Sequence, residues 1–169
     1  SRLTWYGYTK AEAEKVVRKY LGDKAAIVRI ISPVRAKYDL KLDFLRKSLS
    51  LFDEGKLYPL FDDQQISIAF IDEIALALDR IVEENFKGTF HVSSKDITTP
   101  YELVSYLIKK ARGKVGVVKP ASLKDFLKTA DSPVRYPMYG GLKVEETEKA
   151  LGVKFSPWRK VVDRLVANF

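Results

Sequence analysis

Tyr6 and Lys10 stand four residues apart in the run Tyr6-Gly7-Tyr8-Thr9-Lys10. On a helix that spacing sets the phenol and the amine on one face, one above the other. A free phenol, with a pKa of about 10, is a sluggish acid-base group at neutral pH. A cation within reach stabilises the phenolate and draws that value toward the working range. The pair therefore suits proton delivery to a ketone as hydride arrives. The three donors of the lysine ammonium can also hold a cofactor ribose. Tyr-x-x-x-Lys is easily met by chance in a chain with 9 Tyr and 30 Lys and Arg, so its weight depends on its neighbourhood.

Other groups suggest less. His91 is the single histidine and sits on an apolar run between Phe90 and Val92, which reads as a structural position. One histidine and no cysteine supply no zinc ligand set. The absence of cysteine also removes disulfides and thiolate nucleophiles, and it fits a reducing, cytoplasmic setting. Asp62-Asp63 and Asp72-Glu73 read as a polar loop followed by a first helical turn, where acids favour the helix dipole. Asp63 and Gln64 remain candidate substrate contacts. Arg135 could grip a ligand phosphate with both arms of its guanidinium. Trp5 and Trp158 read as packing residues.

The chain has 169 residues, 46% of them hydrophobic, the length and content of one ordinary globular domain. Its net charge of +8 raises the question of nucleic acid. The basic residues, however, are interspersed with acids, as in Glu12-Ala13-Glu14-Lys15, the pattern of a solvated helix face. The dense cluster Lys109-Lys110-Ala111-Arg112-Gly113-Lys114 falls where a helix should end, and cations favour that end of the dipole. This argues against nucleic acid and suits a polyanionic ligand such as a sugar nucleotide or NADP. No apolar run reaches the roughly 18 residues of a membrane span, and the first residues lack signal-peptide architecture.

The elements that must carry these residues alternate between helix and short strand. Periodicity predicts a helix over 6–21 ending at Gly22, with Ala11, Val16, Val17 and Tyr20 buried. The apolar, β-branched run 25–31 predicts a strand covered on both faces. Helices are expected over 42–54, stopped by Gly55, and over 70–84, with a strand over 88–92. Thr99-Pro100-Tyr101-Glu102 has the form of a capping box with proline at the first helical position. A strand over 115–118 and helices over 122–127, 144–151 and 157–166 complete an α/β pattern. A parallel α/β domain normally opens on a strand, so the N-terminal βαβ units are expected to lie upstream.

Tyr6-Gly7-Tyr8-Thr9-Lys10 leading to Glu14, with the strand Ala26-Ile27-Val28-Arg29-Ile30, resembles the catalytic helix and next strand of extended short-chain dehydrogenases/reductases. Asp62-Asp63-Gln64 followed by Phe70-Ile71-Asp72-Glu73 resembles the Asp-Gln element of the dTDP-4-dehydrorhamnose reductase-like branch. Gly88-Thr89-Phe90-His91-Val92 and Arg135-Tyr136-Pro137, Leu142-Lys143-Val144 and Trp158 are similar to its later motifs, in the same order. The resemblance implies the C-terminal part of a Rossmann-like fold: residues 1–37 end the cofactor-binding half, and 38–169 are mostly the smaller substrate-binding subdomain. It implies NAD(P)H-dependent reduction of a dTDP-4-keto-6-deoxysugar, using NADP or NAD. Tyr6 and Lys10 would be catalytic, Tyr6, Lys10 and Ser32 would touch the cofactor, and Asp63, Gln64 and Arg135 the nucleotide-sugar.

Two departures leave the substrate open. Gln65-Ile66-Ser67-Ile68-Ala69 stands where the branch has Gly-x-Pro-Thr, and Val34-Arg35 where it has an aromatic-Gly pair. An epimerase of nucleotide sugars and a non-catalytic binding or regulatory member are the alternatives. The Gly-rich pyrophosphate turn is absent from these residues, so no tight cofactor binding and no reductase activity are expected of the chain alone. Docking on an N-terminal half, or association into a homo-oligomer, is expected in its place.

Overall fold

The computed structural model describes residues 4–35, 40–131 and 136–168; Arg135 lies outside them. The fold is α/β, and its strands are short. Helix α1 (Trp5–Leu21) is opened by Thr4, whose hydroxyl accepts from the Gly7 N–H at 3.0 Å. Gly22, at φ 54°, ends it and donates its N–H to the Arg18 carbonyl. Strand β1 (Ala26–Ile30) then pairs in parallel with β6 (Gly88–Val92), Ala26 opposite Gly88 and Ile30 opposite Val92.

Two expectations hold only in part, for one reason. No side chain of α1 is fully buried: Ala11 and Val17 are half-buried, but Val16 is 52% and Tyr20 75% exposed, and Trp5, expected to pack, is 77% exposed. Strand β1 has an apolar core on one face and α1, across polar contacts, on the other. Val28 turns toward an apolar core with its partner Phe90, whereas Arg29, Thr89 and His91 face α1. The sheet thus offers α1 a polar floor, on which Ala11, Glu14 and Val17 are half-buried.

Three further parallel pairs are two residues long: β2 (Pro33–Val34) with β5 (Ala69–Phe70), β3 (Leu60–Phe61) with β7 (Pro120–Ala121), and β4 (Gln65–Ile66) with β8 (Tyr139–Gly140). The expected strand over 115–118 does not form. Gly116 turns the chain at φ 68°, Val115 and Val117 are exposed, and pairing starts only at Pro120.

The other helices lie close to their expected bounds: α2 (Phe44–Asp53), α3 (Ile71–Glu83), α4 (Pro100–Arg112), α5 (Leu123–Thr129), α6 (Glu145–Leu151) and α7 (Trp158–Val166). Thr99 caps α4 by accepting from the Glu102 N–H at 3.1 Å, but Glu102 does not close a capping box. Its carboxylate accepts from the Thr98 hydroxyl at 3.2 Å. One core joins α2, α4 and α7 to β2, β3 and β5 through Leu45, Leu60, Phe70, Leu107 and Trp158. A second joins α3, α6 and β6 through Ile74, Ala77, Phe90, Val92 and Leu151. Buried Glu73 links α3 to the C-terminal segment: it accepts from the Ser156 N–H at 3.1 Å and from Arg164 at 3.0 Å. A carboxylate out of water needs such partners.

Candidate active site

The helical spacing of Tyr6 and Lys10 is realised at the first turns of α1. The Lys10 ammonium lies 5.4 Å from the centre of the Tyr6 ring, and the Tyr6 side chain is 71% exposed. Tyr8 stacks on Trp5 with ring centres 5.5 Å apart, an exposed aromatic wall beside the pair. The Thr9 hydroxyl donates to the Tyr6 carbonyl at 2.9 Å.

Hydrogen bonds from the later turns seat α1 on the sheet. Arg29 donates to both Glu14 oxygens, at 2.7 and 2.6 Å, and Arg18 donates to the Thr89 hydroxyl at 2.7 Å. The bonds from Arg29 are the main influence on the Glu14 carboxyl and hold it below the usual carboxylate range, against a smaller opposing push from burial. These contacts also fix direction. Arg18 lies over Thr89, the partner of Ile27, and Glu14 lies over Arg29. Four helical residues rise about 6 Å, the length of about two strand residues. The same step carries Lys10 past the end of β1 at Ile30, and Tyr6 further out, to the carboxyl rim where open α/β sheets bind ligands.

Ser32 stands at that rim, just beyond β1. Its φ of 41° is in the left-handed region, a strained placement for a non-glycine residue. Its carbonyl accepts from the Ala69 N–H at 3.3 Å. His91 is occupied structurally: its Nδ1 is 3.1 Å from the Lys143 carbonyl and its Nε2 3.3 Å from Arg29 Nη1. A carbonyl only accepts and a guanidinium only donates, so this geometry fits an imidazole carrying its proton on Nδ1.

Asp63 and Gln64, both half-buried, bond to other segments of the fold. The Asp63 carboxylate accepts from the Leu123 N–H at 2.6 Å, the Lys124 N–H at 3.1 Å and the Ser122 hydroxyl at 2.9 Å, at the start of α5. Gln64 donates to the Pro137 carbonyl at 2.9 Å. Phe126 of α5 meets Phe61 at 5.6 Å and Tyr136 at 5.0 Å between ring centres. Asp63 and Gln64 therefore shape the segment that follows Arg135.

Burial pushes the Asp63 carboxyl up, and the three donors outweigh it, so the group lies below the usual range. A carboxyl depressed by folding stabilises the fold above its unfolded pKa of about 3.9, and that contribution is lost as pH falls through the lower folded value. Asp63→Asn is thus expected to lower the urea midpoint at pH 7, with the gap to wild type closing below about pH 4. A gap independent of pH would remove this account.

An open groove of about 410 Å³ lies between α2 and the end of α4, lined by Leu42, Leu49 and the Asp53–Arg112 pair among others. It contains none of the candidate residues. Among the described residues no group of three His, Cys, Asp or Glu side chains could hold a metal ion, and no helix is long and apolar enough to cross a membrane. Sequence reasoning missed the roles of Glu14, Arg18 and Arg29. The signal was present, since Glu14 and Arg18 continue the four-residue spacing of Tyr6 and Lys10.

Known proteins resemble this arrangement over its whole length. A family model described as "RmlD substrate binding domain" matches residues 2–169. The probable low-salt glycan biosynthesis reductase of Haloferax volcanii is 26% identical over 149 residues, covering 87% of this chain and 48% of that protein. The structure of dTDP-4-dehydrorhamnose reductase from Bacillus anthracis in complex with NADP superposes with a TM-score of 0.82 at 22% identity, over 100% of this chain and 57% of that one. A dTDP-4-dehydrorhamnose reductase from Clostridium acetobutylicum gives 0.82 at 23% identity, over 99% and 56%. The chain spans about half the length of the relatives it matches.

Proposed function

Because the chain belongs to the RmlD substrate-binding domain family, we propose that it serves a nucleotide-sugar reductase as the half that holds the keto sugar and delivers the proton. The observation that carries this reading is the exposed Tyr6–Lys10 pair, aimed by α1 at the carboxyl rim of β1 and β6.

The residues fit one end of a nicotinamide cofactor, NADP or NAD. Lys10 has donors for a ribose, and Tyr6 and Ser32 stand at the same rim. The left-handed glycines lie at separate turns, so no Gly-rich pyrophosphate cradle is present among the described residues. When bound, the cofactor supplies the hydride. Tyr6 gives its proton to the oxygen of the C4 ketone as the carbon is reduced to an alcohol. The Lys10 ammonium stabilises the phenolate that remains. Residues 1–37 complete the cofactor side in this reading, and residues 38–169 shape most of the pocket for the dTDP-4-keto-6-deoxysugar. Asp63 and Gln64 hold the segment beside Arg135 that meets the nucleotide.

The reaction also needs a pyrophosphate-binding half. The exposed side of α1 and the edge of β1 not paired with β6 among the described residues provide its docking surface. The test is NADPH oxidation with a dTDP-4-keto-6-deoxysugar, measured for residues 1–169 alone and with a cofactor-binding half. Turnover is expected only in the second case. Equal turnover by the chain alone would overturn the division of labour, and none in either case would overturn the reductase reading.

A further inference from the structure

Tyr6, Lys10, Glu14 and Arg18 form one stripe along α1 at four-residue spacing. Its first half carries the exposed pair, and its second half makes the bonds to Arg29 and Thr89. Helices are normally held against a sheet by an apolar stripe, which also fixes their rotation. Here no side chain of α1 is fully buried and, of its apolar side chains, only the small stripe of Ala11 and Val17 is half-buried, which leaves polar bonds a large share in setting the rotation.

We propose that Glu14 and Arg18 are positioning residues: through Arg29 and Thr89 they set the rotation and register of α1, and so place Tyr6 and Lys10 above the strand rim. Their anchors are well placed for this. Arg29 and Thr89 stand on neighbouring strands of one sheet face, two residues out of register, so two bonds of different slope fix both slide and roll. Arg29 is itself braced by His91, which is tied to the Lys143 carbonyl and, through its own N–H, to the Thr147 hydroxyl at 2.8 Å. The chain of contacts runs from α6 through β6 and β1 to the catalytic face of α1. The link to chemistry rests on the reading of Tyr6 and Lys10 given above; the seating of α1 does not.

The sequence permits a direct test, because it has no cysteine and one histidine. A nitroxide on Ala13→Cys of α1 should broaden the imidazole signal of His91 in the 169-residue chain. Glu14→Gln and Arg29→Gln are each expected to weaken that broadening and to speed amide exchange in α1 about fivefold, as loss of one partly shielded bidentate pair implies. The swapped pair Glu14→Arg with Arg29→Glu is expected to restore both readings. Unchanged broadening in the two single variants would overturn the proposal, as would a swap that restores nothing. In the enzyme assembled with its cofactor-binding half, Glu14→Gln should lower kcat and leave KM unaltered. An unchanged kcat with α1 unseated would break the link to chemistry, whereas an inactive wild-type assembly would count against the reductase reading alone.

Discussion

Tyr6→Phe is expected to lower kcat for keto-sugar reduction in the assembled enzyme by about 10²- to 10⁴-fold, the usual worth of a positioned proton donor. The variant removes only the hydroxyl from a side chain that is 71% exposed, so the fold should be unaffected. KM should change little, since the lost contact is made mainly while the proton moves. Lys10→Met tests the same site from the other side. It should depress kcat as well and also weaken cofactor binding if, as proposed, Lys10 both stabilises the phenolate and holds the ribose. The measurement is steady-state kinetics with NADPH and the keto sugar, beside far-ultraviolet circular dichroism. A Tyr6→Phe enzyme within about threefold of wild type would transfer the proton-donor role to another group.

The second large effect concerns stability. Trp158→Ala is expected to cost about 3–5 kcal/mol, the range for deleting a large aromatic side chain from a core. Trp158 is 2% exposed and opens α7 against α4, where its ring meets Tyr106 edge-on at 5.4 Å. The Arg159 guanidinium covers the same ring at 4.4 Å, and the Trp158 backbone N–H donates to Asp96 at 2.7 Å. Truncation leaves a void between helices pinned elsewhere by Val161, Val162 and Leu165, so the site cannot collapse to fill it. Urea unfolding should show a lower midpoint with an unchanged slope. A loss below about 1 kcal/mol would mean the core closes over the missing ring.

Local signals made much of this legible in the sequence. Thr99-Pro100 marks the start of α4 and Gly113, at φ 66°, its end; Gly22 likewise marks the end of α1. The spacing of Tyr6 and Lys10 names a helix face without any coordinates. Contacts between distant segments are not legible. Periodicity shows which residues of α1 share a face, but not whether a wall stands opposite, and the floor supplied by Arg29, Thr89 and His91 is polar. Strand pairs two residues long have no period to detect, which is why β7 lies later than the apolar run 115–118 suggests. Asp63 reads in the sequence as a polar-loop residue and candidate substrate contact because the N–H groups it accepts from belong to α5, some 60 residues away. Glu73 reads as an ordinary first-turn acid for the same reason: its partners Ser156 and Arg164 are more than 80 residues distant.

The four parallel strand pairs have a consequence for how this polypeptide reaches its native state. A parallel pair cannot be closed by a tight hairpin, so each waits for a segment made much later. Strand β1 must wait for Gly88–Val92, and β4 for Tyr139–Gly140. Chains dominated by such long-range closures fold slowly, because loop entropy is lost before the contacts repay it. Synthesis on the ribosome therefore leaves β1 and α1 without their partners until β6 has been made. The sheet face under α1 is thus complete once Val92 has been made, well before Trp158 can close its contact with Tyr106.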